Sequence, residues 1–251
     1  MCFDLDSSPP VQPVSGAAVD TRYVTLTAAD GNDFLSYEAT GPTPGPAVLV
    51  LPDVRGLYTF YEELAVRFAE RGYDAVAVDY FGRTAGVSTR DDEFDYLPHW
   101  QATTFDGVSA DAVAALAHLR RDDPDRAVFA VGFCFGGSNV WHLAANGLGL
   151  AGVVGYYGHP DREMPKGSQH VIARVGDMDC PVLALQGGDD PGIPVELCDR
   201  FRDALDQAGV DHEVVVYEGA PHSFFDRKAA EFAAEAEDSW NRVLAFLEAH
   251  V

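Results

Sequence analysis

From residue 47 onward, short apolar runs alternate with amphipathic stretches, and this alternation does most to narrow the possible folds. Ala47–Leu51 is apolar throughout, as a strand covered on both faces must be. A helical pattern over residues 60–71 stops at Gly72, and Asp74–Val78 reads as the next strand. A polar segment, 82–103, leads into a helix over 110–119. Strands then read at 127–131, Gly152–Tyr156, 181–185 and 213–217, and helices at 137–145, 194–208 and 229–249. Such an order predicts a mostly parallel central sheet flanked by helices on both faces.

Two earlier runs, 22–27 and 34–39, flank the turn Asp30-Gly31-Asn32 and read as an antiparallel N-terminal hairpin. Residues 1–20 are polar and contain proline, so they read as an arm, leaving 21–251 as a single α/β domain. A length of 251 residues suits one such domain with a substantial core.

Charge excludes several functions. Forty Asp and Glu oppose seventeen Lys and Arg, for a net charge of −23. Such a surface repels phosphate backbones and anionic membranes, so neither nucleic acid nor a membrane is expected as a partner. An anionic substrate would need its own local arginines, because the global field opposes it. No apolar stretch approaches the roughly 18 residues of a membrane span, and the N-terminus lacks the pattern of a secretory signal. Cys2, Cys134, Cys180 and Cys198 form no C-x-x-C pair, which predicts reduced thiols and a cytoplasmic setting.

The sharpest local signal is Val131-Gly132-Phe133-Cys134-Phe135-Gly136-Gly137, between a predicted strand and a predicted helix. Small residues two places either side of a central nucleophile are the pattern of the nucleophile elbow of the α/β-hydrolase fold, here with Cys where Ser is commoner. A helix N-terminus at that point favours an anionic nucleophile. The same residues could also form a glycine-rich turn around a buried structural cysteine.

A nucleophile needs a base, and the base an orienting acid. In this fold they follow in the order nucleophile, acid, histidine, each beyond the C-terminal end of a strand. Of eight histidines, His222 lies in the loop directly after the last predicted strand, in Gly219-Ala220-Pro221-His222-Ser223, whereas His118, His142, His212 and His250 fall within helix or strand patterns. The preceding strand leads to Gly187-Gly188-Asp189-Asp190-Pro191, which offers two acids, either of which could also be ordinary turn chemistry. After the strand Ala47–Leu51, Pro52-Asp53-Val54-Arg55-Gly56 occupies the place of the second oxyanion-hole amide, so the backbone N–H groups of Val54 and Phe135 form the expected hole. No H-x-H, H-E-x-x-H or nucleotide-loop spacing occurs, and no metal or cofactor is expected; a metal reading would have to use His99, His159 or His170.

From about residue 20 to its end the chain resembles the dienelactone hydrolase family, the carboxymethylenebutenolidase-like α/β-hydrolases. The residues that carry the likeness are Pro52-Asp53-Val54-Arg55-Gly56-Leu57, Asp79-Tyr80-Phe81-Gly82-Arg83, Gly132-Phe133-Cys134-Phe135-Gly136-Gly137, Gly155-Tyr156-Tyr157-Gly158, Gly187-Gly188-Asp189-Asp190-Pro191 and Pro221-His222-Ser223-Phe224. The resemblance implies Cys134 as nucleophile, His222 as its base and Asp190, rather than Asp189, as the orienting acid. It places Asp53, one methylene shorter than the family's usual Glu, beside the thiol it helps to deprotonate. Arg83 corresponds to an arginine that holds a substrate carboxylate, with Arg55 and Tyr156 also near the substrate. Where a second arginine would follow the histidine, Asp226 stands instead, and Arg227 comes one place later. The function implied is hydrolysis of a lactone or activated small ester through a cysteine thioester, with no obligate protein partner. A redox-sensing or ligand-binding thiol protein on a degenerate hydrolase scaffold is the competing expectation.

Overall fold

The computed structural model describes residues 7–91 and 93–251. Among these, eight strands form one sheet: β1 (Asp20–Thr27), β2 (Asp33–Thr40), β3 (Ala47–Leu51), β4 (Asp74–Val78), β5 (Val128–Phe133), β6 (Gly152–Tyr156), β7 (Val182–Gly187) and β8 (His212–Tyr217). Their spatial order is β1-β2-β4-β3-β5-β6-β7-β8. The hairpin β1–β2 joins β4 antiparallel, and every later pairing is parallel. Seven helices accompany it: α1 (Thr59–Ala69), α2 (Gly82–Ala85), α3 (Tyr96–Gln101), α4 (Phe105–Leu119), α5 (Phe135–Ala144), α6 (Val195–Ala208) and α7 (Ala233–Ala249).

Alternation along the strands builds two cores. Val48 and Val50 of β3 face Phe60, Leu64 and Phe68 of α1 and Trp240 and Val243 of α7. Their neighbours Ala47, Leu49 and Leu51 face Ala112 and Leu116 of α4 and Val140 and Trp141 of α5. With both faces covered, β3, β4 and β5 are buried at every position, which is why, Asp74 at the start of β4 apart, they read as apolar runs.

The structure departs from the sequence expectations in several places: α4 begins at Phe105, five residues before the expected 110, and the polar segment 82–103 holds α2 and α3. The expected arm is no strand or helix over residues 7–19, yet Val11 is buried in the α1/α7 core and the Arg71 guanidinium donates to the Gln12 carbonyl at 3.0 Å. Helix α5 begins at Phe135, two residues earlier than its pattern suggested, because Cys134 itself is the turn. The closing helix begins only at Ala233, because the preceding residues curl around Ser223, whose carbonyl accepts from the amides of Asp226 (3.2 Å) and Lys228 (3.0 Å). No helix of the described residues is long and apolar enough to cross a membrane.

The chain runs from β3 outward to β4 and then returns to β5 on the other side of β3. This reversal opens a crevice beyond the carboxyl ends of β3 and β5, where open α/β sheets bind their ligands. Residues 52–56 and Cys134 lie there.

Candidate active site

Cys134 occupies the single-residue turn between β5 and α5 with φ 53° and ψ −109°. Only three non-glycine residues of the described chain have positive φ: Cys134, Tyr157 (35°) and Ser223 (67°). All three lie at the carboxyl edge of the sheet or beside His222, and backbone strain gathered in one place marks a functional site. The elbow is held by the Cys134 amide, which donates to the Tyr156 carbonyl at 2.9 Å, and by Ser138, whose amide donates to the Cys134 carbonyl at 3.1 Å.

Its glycines answer to close approach. A Cβ on Gly132 would meet the Gly136 carbonyl oxygen at 2.2 Å, and one on Gly136 would meet the Leu51 and Pro52 carbonyl oxygens at 2.0 and 2.5 Å. The start of α5 and the loop after β3 are therefore in backbone contact. In that loop the Gly56 amide donates to the Asp53 carbonyl (3.1 Å) and the Arg55 amide to Asp53 Oδ1 (2.9 Å), a tight turn that carries Val54 at its apex. The amides of Phe135 and Val54 thus belong to two backbone segments that touch, a requirement for an oxyanion hole.

Beyond β7 and β8, His222 Nδ1 and Asp190 Oδ2 are 2.6 Å apart. Asp190 Oδ1 also accepts from the Gly192 amide at 2.8 Å. Burial pushes the Asp190 carboxyl up, but the hydrogen bond and charge of His222, with the amides of Gly192 and Ile193, outweigh it and hold the acid below the usual carboxylate range. Asp189, the alternative acid, is exposed, and its amide ties the two loops by donating to the Ala220 carbonyl at 2.9 Å. The Tyr157 ring lies over the imidazole, with centroids 4.8 Å apart.

Asp53 is fully buried, and its amide donates to Tyr61 Oη at 3.1 Å. Tyr80 donates to the Pro52 carbonyl at 3.0 Å, and its phenol is raised well above the usual value, first by burial and then by the charges of Asp53, Cys134 and Asp79. Tyr80 therefore sits within electrostatic reach of both the thiol and the loop acid. Arg55 is buried, its guanidinium 4.7 Å from the Tyr58 ring and 6.0 Å from that of Tyr96 on α3.

Two expectations about substrate-facing residues need correction. Arg83 is engaged by the carboxylates of Asp30 at 2.6 Å and Asp111 at 2.8 Å, so its guanidinium is already committed within the fold. Tyr156 is wholly buried on the opposite side, its hydroxyl on Ser239 Oγ at 3.3 Å and its ring stacked on Phe133. What it contributes to the site is its carbonyl under the elbow. Sequence reading passed over three residues that the structure brings to the site: Tyr80, Tyr157 and Asp226. The first two lay within segments that carried the family likeness, and Asp226 stood out only as an acid where an arginine was expected.

The other cysteines differ in kind. Burial pushes the Cys180 thiol up to about 12 and the Cys198 thiol up to about 11, whereas Cys134 is half-buried at the crevice; Cys2 lies outside the described residues. Of the loop histidines, His99 pairs with Thr84 Oγ1 at 2.9 Å, His170 with Asp161 at 2.7 Å, and His159 accepts from the Asp161 amide at 3.2 Å. Among the described residues no group of three or more His, Cys, Asp or Glu is arranged to hold a metal.

A cavity of about 280 Å³ adjoins the elbow at Phe135. Its walls are Trp100, Thr103, Arg162, Met164, Pro165 and Lys166, drawn from the segments 82–103 and 157–179 that flank the crevice. Apolar surface together with Arg162, Glu163 and Lys166 gives the cavity a place for a small ring with polar substituents.

The chain is similar to known proteins over most of its length. The sequence model described as "Dienelactone hydrolase family" matches residues 33–251. A protein of Methylorubrum extorquens named "Putative carboxymethylenebutenolidase" is 33% identical over 257 residues, covering 93% of this chain and 85% of the relative. A Bradyrhizobium protein named "Probable 2-oxo-3-(5-oxofuran-2-ylidene)propanoate lactonase" is 27% identical over 231 residues, covering 88% of this chain and 92% of its own. Among solved structures, a "Putative Dienelactone Hydrolase" from Klebsiella pneumoniae superposes with a TM-score of 0.81 at 26% identity, covering 92% of this chain and 99% of that one.

Proposed function

The chain belongs to the dienelactone hydrolase family, and from that membership we propose that it hydrolyses a lactone or activated ester through a thioester formed on Cys134. The observation that carries this reading is the pairing of a strained cysteine elbow with a half-buried His222 held by a buried Asp190 at 2.6 Å, at the same edge of the sheet. Relatives named as carboxymethylenebutenolidase and as a lactonase support the substrate class.

In this route the Cys134 thiolate attacks the substrate carbonyl carbon, and the amides of Val54 and Phe135 receive the developing oxyanion. Asp53 and Tyr80 lie on the thiol side of the crevice, where the buried carboxylate helps drive the thiol proton off the sulfur and onto His222 Nε2. The tetrahedral adduct collapses to a thioester, and His222, held by Asp190, supplies the proton to the departing oxygen. It then takes a proton from the water that attacks the thioester, which regenerates the thiol and releases the acid.

Cysteine restricts the substrate. A thiolate leaves more readily than an ordinary alkoxide, so an adduct with a plain alkyl ester falls back to reactants. Enol lactones, aryl esters and thioesters carry leaving groups good enough to go forward. Product release should therefore be fast with a dienelactone and with p-nitrophenyl acetate, slow with ethyl acetate, and lost for all three in Cys134→Ala. Equal rates on the alkyl and the enol or aryl substrates, or full turnover by Cys134→Ala, would refute the thioester route.

A further inference from the structure

Asp226 takes no part in the route above, yet it is buried beside it and is 4% exposed. Its Oδ2 accepts the Tyr157 hydroxyl at 2.5 Å, and its Oδ1 accepts the Arg227 amide at 2.5 Å. Tyr157 is fixed at its other end by its own amide, which donates to the Leu185 carbonyl at 2.8 Å, so the residue is clamped at both ends with φ at 35°. Between the clamps its ring lies 4.8 Å from the imidazole of His222. The neighbour of His222, Ser223, is the third residue with positive φ, and its carbonyl accepts the Asp226 amide. One residue, Asp226, thus joins the two strained residues that border His222, Tyr157 through its carboxylate and Ser223 through its amide.

We propose that Asp226 is a positioning residue for His222: through the Tyr157 hydroxyl it holds the ring against which the imidazole rests, and so sets where the imidazole stands over Cys134. The proposal rests on His222 being the base of the thioester route. The groups facing Asp226 are Tyr157 from the end of β6, Asp53 from the loop after β3, and His222 and Arg227 from its own loop. Burial pushes its carboxyl up to about 7; the charge of Asp53 adds to this, while the Tyr157 hydrogen bond, the Arg227 amide and the charge of His222 oppose it. An ionised carboxylate accepts both donors, whereas a carboxylic acid gives up acceptor capacity where its own hydrogen sits. The clasp therefore loosens, and a negative charge near the imidazole disappears, as pH falls through neutrality.

The test compares the wild type with Asp226→Asn, Tyr157→Phe and the double variant, following p-nitrophenyl acetate turnover from pH 5 to 9 and the His222 titration by NMR. Each single variant should lose about ten- to hundredfold in kcat with KM little changed, and the double variant should lose no more than the more impaired single one, since Asn sets an N–H₂ group against one of the two donors that Asp226 accepts and Phe removes the other partner of the same clasp. An inflection near neutrality should vanish from the Asp226→Asn profile, and the His222 midpoint should fall because the stabilising charge is gone. Tyr157→Phe keeps the ring and the fold, so its rate is interpretable even where Asp226→Asn folds poorly. Additive losses, an unchanged profile or an unmoved His222 titration would each overturn the proposal. Cys134→Ala in the same assay separates the two readings: full turnover there refutes the thioester route, while the NMR titration still decides whether Asp226 acts on His222.

Discussion

Asp190→Asn should lower kcat by about 10³- to 10⁴-fold while KM stays within a few-fold of wild type. The carboxylate oxygen 2.6 Å from His222 Nδ1 fixes the tautomer with its proton on Nδ1, leaving Nε2 able to accept. An asparagine of the same shape can present its amide N–H₂ to Nδ1 instead, which places the imidazole proton on Nε2, where the proposed route needs an acceptor. Stopped-flow turnover of p-nitrophenyl acetate measures the loss, and a change below tenfold would show that Asp190 does not orient the base. The same substitution has a pH signature in stability. Because the folded carboxyl sits below its ordinary value, its ionised form stabilises the fold above the unfolded carboxylate pKa, and that contribution is lost as pH falls through the folded one. Asp190→Asn should thus be less stable than wild type at neutral pH, with the gap closing only in strong acid.

Gly136→Ala should cost the fold more than about 4 kcal/mol, a Tm lower by roughly 10 °C in a domain of this size. The added carbon would stand 2.0 Å from the Leu51 carbonyl oxygen and 2.5 Å from that of Pro52. Those atoms belong to the end of a central strand paired on both sides, β3 with β4 and β5, so the backbone cannot yield. Gly176→Ala is the matched control, since a Cβ there would meet nothing within 4 Å. If Gly136→Ala melts within a few degrees of wild type, α5 and the loop after β3 are not in the contact described.

Much of this architecture was legible in the sequence because its signals are local or ordered. A strand covered on both faces must be apolar at consecutive positions, which exposed β3 and β4 directly. The elbow was legible because close approach demands small residues at fixed offsets from Cys134. His222 and the acid pair were found by order along the chain, and Asp190 was preferred to Asp189 only through the family likeness; the 2.6 Å contact with His222 and the burial of Asp190 are what the structure adds. What stayed hidden depends on partners distant in sequence. Arg83 is committed to Asp30 and Asp111, 53 and 28 residues away. Of the adjacent tyrosines, strand alternation sends Tyr156 towards Ser239 on α7, whereas Tyr157, one residue past the strand, turns onto His222 and Asp226. No periodicity announces that change of face.

The most direct measurement is the intact mass of the protein quenched during reaction with p-nitrophenyl acetate, with peptide mapping, beside Cys134→Ala. A single acetyl group, mapped to Cys134, labile to hydroxylamine and absent from the variant, is the expected result. Cys180 and Cys198 should remain unmodified, since burial holds both thiols protonated. Turnover with the acyl group on another residue, or an adduct of equal yield in Cys134→Ala, would contradict a thioester at the elbow.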